Sequence, residues 1–169
     1  MSRPNAIAAF SMVLLTCRGR YLLLERAPGK RFAPGKWTGL GGRIEAAEMD
    51  DVRAAALREL TEEAGLRPEE IARFTLRRVL LHARPGVPLT LLLHFTGELA
   101  EPVLPPCPEG TLHWVEAAEL TALDLIDNAA VVIPVLIADL ARDPAGTEPV
   151  VVGAARYAAD GSLAAIVWA

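Results

Sequence analysis

Apolar positions run almost unbroken through Ala6-Ile7-Ala8-Ala9-Phe10-Ser11-Met12-Val13-Leu14-Leu15-Thr16, and a shorter run follows in Tyr21-Leu22-Leu23-Leu24. Bounded by Arg18-Gly19, these runs predict a strand over 6–16, a turn, and a second strand over 20–26. From 27 to 42 the pattern breaks into Pro28-Gly29, Pro34-Gly35, Gly39 and Gly41-Gly42, which is a loop. Helical spacing takes over from about Asp51 to Ala64, where Ala56, Leu57, Leu60 and Ala64 form one stripe. Asp50 or Asp51 is placed to cap its start and Gly65 to stop it. Residues 76–83 and 88–95 read as two strands around Arg84-Pro85-Gly86, and 98–110 as a Pro-rich loop. A short strand over 111–115 leads into a helical turn over 116–120. The helix expected over 127–141 carries Pro134, which predicts a kink or a late start. Residues 150–155 and 163–168 close the chain as a hairpin around Asp160-Gly161. Strands mixed with two helices predict one α/β domain over 1–169, its sheet lying between helices on both faces.

The amino-terminal run follows Arg3 and has the look of a signal-peptide core. It is only about ten residues long and continues into a turn and strand, so it reads as a core strand. This points to a cytoplasmic protein without a membrane segment. Lys and Arg total 17 against 21 Asp and Glu, a net charge of −4 that offers no general attraction for nucleic acid or anionic lipid. An anionic ligand must then be held locally, by arginines, backbone amides or a metal. Cys17 and Cys107 share no metal or redox spacing and read as free thiols.

One local pattern changes this picture. Glu59, Glu62 and Glu63 stand three and four residues apart and share a helix face, with Arg58 four before Glu62. A solvated surface face is one reading of such acids. Yet Glu59 and Glu63 repel one another with no Lys nearby, and a divalent cation removes that repulsion. Carboxylates are hard ligands suited to Mg²⁺ or Mn²⁺.

The segment Arg58-Glu59-Leu60-Thr61-Glu62-Glu63-Ala64-Gly65-Leu66, preceded by Gly41-Gly42 and Glu48, resembles the signature of the Nudix hydrolases, G-x5-E-x7-R-E-U-x-E-E-x-G-U with U aliphatic. Every specified position from Arg58 to Leu66 matches. Between Glu48 and Arg58, however, nine residues intervene instead of seven, which places a longer loop around Met49-Asp50. The resemblance implies an α/β/α sandwich and Mg²⁺-dependent hydrolysis of a diphosphate linked to a nucleoside or similar group. It implies Glu59, Glu62 and Glu63 as metal ligands with the Gly41 carbonyl, Arg58 as orienting partner, and Glu48 near the metal site or supporting it. Glu109, five residues before Trp114, matches a later-loop glutamate that serves some members as ligand or base, or is an ordinary loop acid.

Substrate choice lies outside that segment. The approach Lys30-Arg31-Phe32-Ala33-Pro34-Gly35-Lys36-Trp37 is similar to that of the oxidised-purine nucleoside triphosphate diphosphatases, which implies Phe32 against the base and Trp37 beneath the loop. Asp127 and Asn128 match polar base-reading positions, or simply cap the late helix. Ile126 stands where those enzymes carry a second aromatic. No ADP-ribose-type Pro-rich motif or dinucleoside-polyphosphate-type Tyr is found. His82, His94 and His113 read as pocket-wall or core histidines, and Arg77, Arg78 and Arg84 as exposed strand-end arginines in preference to phosphate contacts. The expectation is a monomeric or homodimeric enzyme that takes a small nucleotide, a (d)NTP or oxidised purine (d)NTP. The alternatives are hydrolysis of ADP-ribose, a nucleotide sugar or a dinucleoside polyphosphate, a nucleotide-sensing domain without catalysis, and a plain interaction module.

Overall fold

Strand β1 (Ile7–Cys17) turns through Arg18 and Gly19 into β2 (Arg20–Arg26), with Leu15 opposite Leu22. Both turn residues have positive φ, the backbone a tight hairpin between right-twisted strands requires. Along β1, Val13, Leu15 and Cys17 face one core cluster and Met12 and Leu14 the other, which is why the run is apolar without alternation. In this computed structural model residues 7–84 and 87–169 are described; Arg3, Ala6 and the Pro85-Gly86 part of the expected turn lie outside the described residues.

The remaining strands extend one mixed sheet. β5 (Ile71–His82) pairs antiparallel with β6 (Leu89–Leu99), β6 runs parallel to β1, and β8 (Val151–Tyr157) runs parallel to β5. β9 (Leu163–Trp168) turns back antiparallel on β8 as expected for the hairpin, and β7 (Gly110–Val115) lies along β2. Helix α1 (Val52–Ala64) buries Ala55, Ala56, Leu57, Leu60 and Ala64 on one face of the sheet. Helix α2 (Asp127–Arg142) buries Ala129, Val132, Ile133 and Leu136 on the other. The α/β/α sandwich is therefore present, with Asp51 as the α1 cap (its side chain accepts from Ala54 N–H at 3.0 Å) and left-handed Gly65 as its stop.

Two short strands within the glycine-rich loop open the sheet. β2 pairs with β1 only near the hairpin; further along, Leu24 faces Thr38 of β3 (Trp37–Thr38). β1 in turn leaves β2 for Leu40 and for β4 (Arg43–Ile44). Residues 37–44 are thus a wedge between diverging β1 and β2. Trp37 is half-buried there, its ring 4.7 Å from that of His113.

Three expectations are corrected. β5 starts at Ile71, not 76, because register shifts and Arg73 at φ 51 carry the strand through a polar stretch that hides its period. Pro134 neither delays α2 nor ends it: the proline lies inside the helix on its exposed side. Arg77 and Arg78 are buried, not exposed. The shift between Leu76 and Arg78 turns both toward the end of α2, where Arg77 meets Asp143 at 2.9 Å and Arg78 meets both Asp139 oxygens at 2.6 and 2.8 Å.

Candidate active site

The wedge is held to β1 by backbone bonds: Ser11 N–H donates to the Gly42 carbonyl at 2.8 Å and Val13 N–H to the Leu40 carbonyl at 2.6 Å. Its paired glycines, Gly41 and Gly42, are sterically required. Gly41 has φ 129, and a Cβ on it would lie 2.5 Å from the Ser11 carbonyl oxygen. A Cβ on Gly42 would lie 2.1 Å from Glu59 Oε2, so the missing side chain is what lets that carboxylate reach the backbone.

Arg58 organises the helix face. Its guanidinium donates to both Glu48 oxygens at 2.6 and 2.9 Å and to Glu62 at 2.9 Å, lies 2.8 Å from Glu59, and donates to the Arg43 carbonyl at 3.2 Å. These carboxylates hold Arg58 firmly protonated. The two extra residues fall where the sequence places them, in a turn at Met49-Asp50 between a short 3-10 helix (Ala46–Glu48) and α1; Glu48, at the end of that 3-10 helix, also accepts from Glu45 N–H at 2.9 Å. Glu48 thus reaches Arg58 despite the longer loop, and the same bonds hold its carboxyl below the usual range.

Glu63 accepts from Gly41 N–H at 3.1 Å. Burial, then the negative charges of Glu109 and Glu59, push its carboxyl up to about 7 against the pull of that bond. Glu109 is paired with Lys30 at 2.6 Å, both side chains half-buried. Among the described residues no three His, Cys, Asp or Glu side chains already form a metal cage, and Glu62 turns outward with its side chain 60% exposed. A Mg²⁺-sized ion does not demand such a cage, since it binds through one or two carboxylates, substrate phosphate oxygens and water. The crowded Glu59, Glu63 and Glu109 charges are a donor set that fits it.

These groups open into a cleft of about 920 Å³. Its floor includes Phe10, Met12, Thr90, Leu92 and His94, alternate residues of β1 and β6 that face the α2 side, and it reaches Gly41, Gly42, Glu63 and Glu109 at the wedge. Of the ten residues given catalytic, metal or substrate roles from the sequence, six line it: Phe32, Gly41, Glu63, Glu109, Asp127 and Asn128. Glu48, Arg58, Glu59 and Glu62 do not, although Glu59 abuts Gly42. Phe32 is 67% exposed, with the Arg26 guanidinium 5.8 Å from its ring. Asp127 and Asn128 fall in the first turn of α2, whose cap is Ile126; Asn128 accepts only from the next N–H, at 2.9 Å. Sequence reasoning missed Lys30 as the partner of Glu109, and Tyr157, which lines the cleft from β8. No local pattern marks either, because both depend on pairings between distant segments.

A mixed sheet between two helices, with an acidic helix face against a glycine wedge, defines an α/β/α sandwich with an acidic cleft. Residues 6–136 match the family model of the NUDIX domain, and the chain belongs to the Nudix hydrolase family, a family of pyrophosphohydrolases. It is 34% identical to an NAD-capped RNA hydrolase NudC of Stutzerimonas stutzeri over 150 residues, covering 85% of this chain and 48% of that protein. It is 43% identical to an oxidized purine nucleoside triphosphate hydrolase of Danio rerio over 56 residues, a third (33%) of each chain. The chain thus spans half or less of the relatives it matches. Among solved structures, a MutT protein from Bacillus halodurans superposes with a TM-score of 0.67 at 18% identity, over 95% of this chain and 97% of that one. The Nudix hydrolase RenU from M. smegmatis gives 0.60 at 24% identity over 86% and 89%. Among the described residues no helix is long and apolar enough to cross a membrane.

Proposed function

We propose that this chain is a Mg²⁺-dependent hydrolase of a nucleoside diphosphate-linked substrate, a (d)NTP or oxidised purine (d)NTP, giving a monophosphate and pyrophosphate. The observation that carries the reading is the intact glutamate face at Gly41–Gly42, at one end of a cleft that also holds Phe32, Asp127 and Asn128. Glu59 and Glu63 would hold the metal with the Gly41 carbonyl, joined by Glu62 once it turns inward from its outward position; the metal, when bound, would neutralise charge on the diphosphate and lower the pKa of water. Arg58 fixes Glu59 and Glu62 by ion pairs, and Glu48 in turn fixes Arg58. Glu109, held by Lys30, faces the same end and is the candidate ligand or base there. Phe32 offers an exposed ring for a base to cover, and Asn128, whose Oδ1 already accepts from Ala129 N–H, can still donate from its side-chain NH2 to a purine edge. The reading takes 1–169 as one catalytic domain.

A second reading has one supporting observation. The relative matched over most of this chain is named for NAD-capped RNA, so a dinucleotide-type diphosphate is the alternative substrate, and nucleic acid stays in play as its carrier. Incubating the chain with Mg²⁺ and NTPs, 8-oxo-dGTP, ADP-ribose, NAD and dinucleoside polyphosphates, with products separated by chromatography, decides between them. We expect monophosphate and pyrophosphate from a triphosphate. Orthophosphate release, or turnover confined to the two-headed substrates, would overturn the first reading.

A further inference from the structure

The family match ends at residue 136, yet β8 and β9 lie beyond it and add to the same sheet. Their seating is specific. Gly153 leaves room for the Trp168 ring, which a Cβ there would approach to 2.4 Å, and the buried Arg78 guanidinium lies 4.7 Å over that ring. Ala155 stands opposite His82, and Tyr157, two residues on, lines the cleft with its hydroxyl on His82 Nδ1. Arg84 lies over the Tyr157 ring at 4.7 Å. His82 Nε2 and His94 Nδ1 are buried without a partner among the described residues, and both histidines line the cleft. Burial lowers His82 and takes His94 down to about 3, so both imidazoles are neutral near pH 7. Beside the Arg84 guanidinium, this wall differs in chemistry from the acidic end: Tyr157, His82 and His94 are neutral groups that can each donate or accept a hydrogen bond. Such groups match the keto, amino and ring-nitrogen edge of a heterocyclic base rather than a phosphate.

We propose that Tyr157 is a base-recognition residue: its hydroxyl, backed by His82, bonds the polar edge of the substrate's heterocyclic base, so that the carboxy-terminal hairpin completes the nucleoside end of the cleft. A phenol both donates and accepts, so it can hold His82 and the base together. The proposal rests on the nucleotide reading above. The test is Tyr157→Phe, which removes the hydroxyl and keeps the ring, compared with wild type for KM, kcat and calorimetric binding of GMP, AMP and inorganic pyrophosphate. A rise in KM and a loss of monophosphate affinity of roughly five- to tenfold are expected, the size of one hydrogen bond. With them go an altered ranking among bases, little change in kcat, and unchanged pyrophosphate binding. If Tyr157→Phe lowers the melting temperature, His82→Asn should give the same selective loss. An active Tyr157→Phe enzyme with unchanged KM and base ranking overturns the proposal alone, as does equal loss of pyrophosphate and monophosphate. A wild type that binds and cleaves no nucleotide overturns the functional reading and the proposal together.

Discussion

Glu63 carries a carboxyl lifted from about 4.5 to about 7 by burial and by Glu109 and Glu59. Between those values the folded metal-free chain binds more protons at this site than the unfolded chain does. Its stability therefore falls as pH rises from about 4.5 to about 7, the reverse of a salt-bridged acid. Glu63→Gln should remove that slope and raise the metal-free melting temperature at pH 8 by roughly a few degrees. Thermal melts of both proteins at pH 5 and pH 8, in chelator, check this. The same proton should leave when Mg²⁺ binds. Calorimetry at pH 6.5 in two buffers of different ionisation enthalpy should show release by wild type that is absent in Glu63→Gln.

At the scale of elements, α1 and its signature are the part most legible beforehand, because caps, stripe and glutamate spacing are all local in sequence. Arg58 shows how the face is kept in register: it joins Glu48 before the helix to Glu59 and Glu62 on it. Glu48→Gln should weaken that support and cut kcat more than KM, with little change in the melting temperature. Its positioning role would be contradicted by unchanged kcat. The α2–β5 junction was not legible. Two consecutive arginines in a strand normally point to opposite faces, and only the irregular register before Arg78 turns both inward. Asp139→Asn strips the Arg78 guanidinium of its carboxylate, and should destabilise the fold by about 3–5 kcal/mol in urea unfolding. Pro134, where the sequence predicts a kink or late start, should tolerate Pro134→Ala without loss of stability, since it lies on the exposed side of α2.

Across the whole molecule, the split between β1 and β2 explains how one cleft serves both faces of the sheet. The wedge at 37–44 brings Gly41 and Gly42 to the glutamates of α1, while the floor beside it belongs to the α2 side. The motif glycines were visible in the sequence, but the divergence that makes them a wall is a matter of non-local pairing. The same holds for Tyr157, which reaches the cleft only because β8 adds parallel to β5. The central claim is that the α1 glutamates are metal-dependent hydrolytic machinery, and turnover of a nucleoside triphosphate by Glu59→Gln beside wild type, at saturating Mg²⁺ and with matched circular dichroism, tests it most directly. A loss of roughly two orders of magnitude or more in kcat is predicted; full activity in the variant would contradict the account.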